Sequence, residues 1–146
     1  MKKIFVLITL AITLFLTGCH VEDKNGEDNY ELATYTIEDI KNNKVKGNSN
    51  LGSVSSGTLD HGFVKVKKFS GKRNLVTRSV NPGDKVKIIS TVEIGNLGIF
   101  IKCSDDFYQI PINTEYTFTF ENYKGICSII FVGESAKLRI DYDFIN

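Results

Sequence analysis

Two histidines, three cysteines and seventeen carboxylates are the side chains through which this chain could perform acid–base, nucleophilic or metal chemistry. Hydrolysis by an activated serine needs a histidine base and a carboxylate that orients it. The sequence has no Gly-x-Ser-x-Gly turn, and its histidines are His20, close to the N-terminus, and His61, in a segment rich in Gly and Ser. Asp60-His61-Gly62 is more simply a polar lead into a strand. We therefore predict a protein that is not an enzyme and uses no cofactor.

A metal site is not expected either. The histidines and cysteines lack the paired spacings of a zinc site. Asp105 and Asp106 share a predicted turn and form a weak calcium candidate, since calcium prefers oxygen ligands gathered in loops. No Asp-x-Asp-x-Asp-Gly loop is present, so solvated turn acids are the simpler interpretation.

The N-terminus has the pattern of a secretory signal, with Lys2 and Lys3 before an apolar run over residues 4–16. That run is shorter than the roughly 20 apolar residues that a bilayer-spanning helix needs. Leu16-Thr17-Gly18-Cys19 ends the run and resembles the lipobox of bacterial lipoproteins. The resemblance implies that residues 1–18 are removed and that Cys19 carries diacylglycerol and a fatty acid such as palmitate. The protein would then be anchored outside the cytoplasm, on the outer membrane if the host is Gram-negative.

The other two cysteines, Cys103 and Cys127, lie on the apolar sides of two predicted strands. Outside the cytoplasm they could form a disulfide. They could equally pack as two small buried thiols. Sequence parity cannot show whether the two strands face each other, so both alternatives stay open.

Residues 19–62 are predicted to be a lipidated tether and linker. Residues 20–30 are polar and acidic, with little to bury, which is typical of a flexible tether. Thr36 followed by Asp39 is a capping signal, so a short helix is predicted over residues 36–42. Residues 47–62 are rich in Gly, Ser and Asn and are predicted to be loop.

From residue 63 to residue 146 apolar and polar residues alternate with a period of two, as in Val64-Lys65-Val66-Lys67. Turn signals such as Asn81-Pro82-Gly83-Asp84 and Gly95-Asn96 recur every eight to twelve residues. We predict an all-β domain, a single antiparallel β-sandwich of seven to eight strands.

A looser resemblance supports that fold. It rests on Gly83-Asp84-Lys85-Val86, Gly95-Asn96-Leu97-x-Ile99-x-Ile101 and Gly125-x-Cys127-x-Ile129-x-Phe131-x-Gly133-Glu134-x-Ala136, which are similar to small jelly-roll modules of bacterial secreted and surface proteins. In those modules an aromatic residue usually replaces Cys127, and a glycine often replaces Lys137. The resemblance implies a jelly-roll-like sandwich and carries over no binding residue.

Bases are concentrated over residues 65–78, where no acid interrupts them: Lys65, Lys67, Lys68, Lys72, Arg73 and Arg78. This basic strip could bind an anionic wall polymer, glycan or surface protein. Alternatively it is a solvated face whose lysines discourage edge-to-edge aggregation.

Overall charge excludes one class of partner. The chain has 18 bases and 17 acids, a net charge of +1, so we expect no nucleic-acid binding. The sequence thus predicts a membrane-anchored, non-catalytic binding module whose partners are the bilayer and an anionic surface molecule. An inhibitor, immunity or exclusion lipoprotein that protects the cell is the alternative.

Overall fold

A computed structural model describes residues 35–45 and 48–145 of the chain. Its elements are one helix and six strands: α1 Ile37–Lys41, β1 Ser49–Gly57, β2 His61–Val80, β3 Lys85–Cys103, β4 Asp106–Ile110, β5 Glu115–Thr119 and β6 Gly125–Ile145. All strand pairs are antiparallel, in the order β1-β2-β6-β3-β4, with β5 also paired to β3. The predicted all-β antiparallel class is therefore confirmed.

The sheet folds back on itself, because β2 runs through both of its layers. Asp60 and Arg78 are 18 residues apart, which is about 60 Å along a straight strand at roughly 3.3 Å per residue. Their side chains nevertheless meet at 2.6 Å. Irregular pairing between Val66 and Gly71 marks the bend in β2. The result is a sandwich-like fold made from one continuous sheet.

The structure has six strands instead of the predicted seven to eight, and two segments with the composition of turns, Gly95-Asn96 and Gly133-Glu134-Ser135, are bends inside the long strands β3 and β6. Gly95 bends β3 with φ +77°, and a Cβ at this position would lie 2.4 Å from the carbonyl oxygen of Glu134. Ser135, with φ +52°, lies in the facing segment of β6. The chain therefore changes layers without leaving the sheet.

The loop predicted over residues 47–62 is wrong for most of its length. Ser49–Gly57 is β1, which pairs with β2 from Ser49↔Ser70 to Gly57↔Gly62. All nine of its residues are exposed, so the composition lacks the buried apolar positions by which a strand is usually recognised. Pairing with β2, rather than burial, makes it a strand.

The predicted short helix is present as α1. Thr36 is its N-cap, and Thr36 and Asp39 form the reciprocal capping box that their spacing predicts. The helix packs Ile40 on the outer side of the sheet in a small cluster with Phe100 and Val132.

The main core lies between the layers. Residues from both halves of β2, β3 and β6 fill it, and Phe69 and Phe131 contact each other with ring centroids 4.9 Å apart. Away from α1, the opposite side chains of the same strands face solvent, and that part of the outer face carries the candidate site.

Candidate functional site

A bulge in β2 exposes two consecutive lysines. Val66 and Phe69 are both buried, although residues three apart in a regular strand point to opposite faces. The register shift between them absorbs the extra residue and leaves Lys67 and Lys68 exposed together. Lys65, one step before Val66, is exposed as well. We call Lys65, Lys67 and Lys68 the lysine triplet.

The edge strand β1 leaves space for the side chain of Lys67. Gly52 of β1 has φ +62°, and a Cβ there would lie 2.8 Å from Cδ of Lys67. The aliphatic stem of Lys67 therefore lies across a position that only glycine leaves open. Lys65 is placed between Val54 of β1 and Arg139 of β6 as their direct cross-strand neighbour.

Other bases on this part of the sheet are neutralised by acids. Arg139 donates from Nε and Nη2 to the two carboxylate oxygens of Asp141, both at 2.7 Å. Lys137 forms an ion pair with Glu93. Among the described residues the lysine triplet has no hydrogen-bond or ion-pair partner, so its three charges face solvent unpaired.

Lys72 is turned toward the helix rather than toward the triplet. Its Nζ donates to Oδ1 of Asn43 at 2.5 Å and to the carbonyl oxygen of Ile40 at 3.5 Å. A cation at this point satisfies the C-terminal carbonyls of α1. Burial, and then the nearby charge of Lys102, lower the pKa of Lys72.

Arg78 makes its contacts within the fold, with Asp60 and Phe144. Its Nη1 donates to Oδ1 of Asp60 at 2.6 Å, and its guanidinium lies 4.5 Å from the ring centre of Phe144. Because Asp60 follows β1 and Phe144 lies one residue before the end of β6, these contacts hold the two layers together.

Arg73 is separated from the other bases of the strip. Its Nη1 donates to Oγ of Ser53 at 3.3 Å, and the side chain lines a cleft on the open flank of the sandwich. The structure therefore distributes the six bases of the strip over four different surroundings.

His61 is the exposed first residue of β2, as a polar lead into a strand would be. Its backbone closes the β1–β2 turn: Thr58 N donates to the carbonyl oxygen of His61 at 2.7 Å, and His61 N donates to Oγ1 of Thr58 at 3.2 Å. Within residues 48–145 its imidazole has no hydrogen-bond partner.

Asp105 and Asp106 lie where β3 turns into β4. Tyr123 donates its hydroxyl to Oδ2 of Asp106 at 3.4 Å and to the carbonyl oxygen of Cys103. Desolvation, followed by the charge of Asp106, raises the pKa of Tyr123. No group of three or more metal-ligating side chains occurs among the described residues, and the calcium candidate stays a prediction.

Cys103 and Cys127 form a disulfide, the first of the two alternatives left open by the sequence. They are direct partners in the β3–β6 register, with Cα atoms 4.4 Å apart. Both are buried.

Cys19 and the tether up to residue 34 lie outside the described residues. Within the described part, no helix has the length and hydrophobicity to cross a membrane. No family model and no curated protein matches the chain.

Sequence reasoning found the three lysines but not what surrounds them. The bulge at Lys67 and Lys68 leaves one signal in the sequence, the spacing of three between the apolar residues Val66 and Phe69. The pairing of Arg139 with Asp141 is also visible in the spacing of two on one strand. The neighbouring strand β1 leaves no such signal.

Proposed function

We propose that this protein is a membrane-anchored lipoprotein outside the cytoplasm, and that its β domain is a non-catalytic module that binds an anionic polymer of the cell surface through the lysine triplet. The observation that carries the proposal is that Lys65, Lys67 and Lys68 are exposed together, next to bases that already have acid partners.

Edge protection does not account for these lysines. Charged residues protect a sheet when they lie on its edge strand. In the described sheet the part of β2 that holds the triplet is flanked by β1 and β6, while the uncharged β1 is at the edge. An interaction with a partner therefore explains the triplet better than protection of the sheet.

The electrostatics suit a polymer better than a single small anion. Each base close to an anionic surface contributes about 1 kcal/mol, and this attraction falls off within a Debye length of about 8 Å at physiological salt. Three neighbouring bases therefore favour a partner that presents several charges in a row. We expect the binding to weaken steeply as salt is added.

The anchor is supported by the leader and by Cys19. Two or more acyl chains hold a protein to a bilayer much better than one. The disulfide is compatible with an oxidising compartment. A polymer bound by the triplet would thus be held beside the membrane.

The polymer proposal is tested by pelleting the full-length, detergent-solubilised protein with bacterial cell walls that carry teichoic acid. The same walls after acid extraction of the teichoic acid are the polymer-free comparison. We expect the variant Lys65→Glu/Lys67→Glu/Lys68→Glu to bind the intact walls at least about a hundredfold more weakly, because three contributions of about 1 kcal/mol are lost and the three new carboxylates repel the polymer.

The matched control is Lys41→Glu/Lys85→Glu/Lys124→Glu, which changes net charge equally at three scattered exposed positions. Equal losses in the two variants would show a non-specific charge effect and overturn the role of the triplet. Undiminished binding to the extracted walls would overturn the choice of polymer.

The anchor has its own test. Mass spectrometry should find the mature chain beginning at Cys19 with a diacylglycerol on its sulfur, and Cys19→Ser should release the protein from the membrane fraction. An unmodified sulfur on a protein that is free in the medium would refute the anchor.

A further inference from the structure

A cleft of about 430 Å³ opens on the flank of the sandwich where β2 passes from one layer to the other. One wall is the end of the β1–β2 hairpin, with Ser55 and Ser56. The opposite wall is the second half of β2, with Arg73 and Asn74. Phe63 and Tyr142 also line the cleft.

The opposite wall is a free strand edge in the described sheet. β1 pairs with β2 only as far as Ser70, and from Gly71 to Val80 β2 pairs with β6 alone. Backbone hydrogen-bonding groups of this segment therefore border the cleft, beside the irregularity between Asn74 and Val76. Tyr142 also lines the cleft, and its position is fixed by a hydrogen bond from its hydroxyl to the carbonyl oxygen of Thr58 at 2.6 Å.

Arg73 is a base on the inner side of its strand. Its cross-strand partner is Phe131, a buried core residue, and direct partners in a sheet point to the same face. Arg78, whose partner is the buried Cys127, is on the same inner side. Two arginines of β2 thus reach into the space between the layers.

The two arginines differ in what they meet there. Arg78 has a carboxylate, that of Asp60, at 2.6 Å. Arg73 has only the neutral hydroxyl of Ser53 at 3.3 Å, and no acid among the described residues pairs with it. A partly buried guanidinium matches a carboxylate in a two-pronged hydrogen bond, so a ligand can supply the acid that this site lacks.

We propose that the flank cleft binds a carboxylated sugar, with Arg73 holding its carboxylate. The hydroxyl of Ser55 lies on the inner side with Arg73, because its cross-strand partner Val64 belongs to the main core, and it can bond a sugar hydroxyl. The Tyr142 ring, on the same side, supplies apolar surface. The volume is within the range of small-molecule sites. The site shares no residue with the lysine triplet, so it goes beyond the polymer binding proposed above.

Calorimetric titration of the full-length, detergent-solubilised protein tests the proposal with two carboxylated probes, D-glucuronate and N-acetylmuramate. Glucose and N-acetylglucosamine are their neutral counterparts. We expect at least one acid to bind about tenfold or more tightly than its neutral counterpart, since a hydrogen bond to a charged group contributes on that scale. The acid that binds more tightly identifies the source, a uronic-acid glycan or the wall.

Arg73→Gln should weaken that binding about tenfold or more and should leave unchanged the difference in binding between intact and acid-extracted walls, which measures the lysine triplet. Lys68→Gln, which removes an exposed base of the same strand outside the cleft, should not affect sugar binding. Backbone amide shifts on adding the sugar should concentrate at residues 53–57 and 73–75.

Three outcomes would each refute the proposed sugar site in the cleft. They are failure of both acidic sugars to bind, equal binding of the neutral sugars, and an unchanged affinity in Arg73→Gln. If acetate bound as tightly as the acidic sugars, the cleft would be a carboxylate site that does not recognise the sugar, and the sugar proposal would be refuted. The triplet variant keeps Arg73, so a loss of wall binding with intact sugar binding separates the two proposals.

Discussion

Breaking the Cys103–Cys127 disulfide should lower stability by an amount that follows from its position. The bond closes a loop with a sequence separation of 24, and this loop contains β4 and β5. In the loop-entropy model, closing about 25 residues stabilises the folded state by about 3.5 kcal/mol. For a domain near 100 residues, each kcal/mol moves the midpoint by about 4–8 °C, so reduction should lower Tm by about 15–25 °C.

Thermal unfolding followed by circular dichroism, with and without a phosphine reductant, measures this effect on the full-length protein. Alkylation and mass spectrometry establish that both thiols are free in the reduced sample, since the cysteines are buried. Cys103→Ala/Cys127→Ala should unfold near the reduced wild type and should not respond to the reductant. A reduced protein that melts within a few degrees of the oxidised one would refute the reasoning.

Three further substitutions test the fold. Arg78→Gln should lower the free energy of unfolding, measured in urea, by about 1–2 kcal/mol, because it removes a charge-assisted hydrogen bond and a contact with a ring. Asp60 is exposed, which keeps this value small. An unchanged urea midpoint would show that the pair does not join the layers. Gly95→Ala should lower the free energy of unfolding by at least about 1–3 kcal/mol, because Gly95 has φ +77° and the added Cβ would clash with the backbone of Glu134. Gly83→Ala is the control for the effect of φ alone, because Gly83 lies in a turn with φ +93° and open space around it, and it should be less destabilising. Burial raises the pKa of Tyr142 above its usual value of 10, so the folded state favours the protonated phenol, and stability should fall as pH rises from about 10 toward the folded pKa. Tyr142→Phe should cost about 1 kcal/mol at neutral pH and reduce that alkaline loss; an equally steep decline in the variant would contradict the assignment.

The fold class could be predicted from the sequence because one face of most strands is buried. Alternation from Val64 onward and the turn at Asn81-Pro82-Gly83-Asp84 carry that information locally. The capping box at Thr36 is likewise a local signal and predicts α1 correctly.

Features that depend on pairing could not be predicted. β1 has no buried side, so only its partner strand makes it a strand. Gly95 is typical of a turn, yet here it bends a strand, because β6 continues alongside it. The register of Cys103 against Cys127 is also a tertiary property. Strand parity placed both thiols in the core and could not bring them together.

The basic strip shows why a run of like charges does not define one surface. In a straight, flat strand the alternation of side chains would put the six bases on two faces. β2 contains two irregular stretches and passes through both layers, so neighbouring bases have different surroundings. Lys65, Lys67 and Lys68 face solvent, Lys72 meets the end of α1, and Arg78 meets Asp60. Arg73 has the inward orientation of Arg78 but no acid partner among the described residues, and this difference is why the carboxylate proposal rests on the cleft rather than on the rest of the strip.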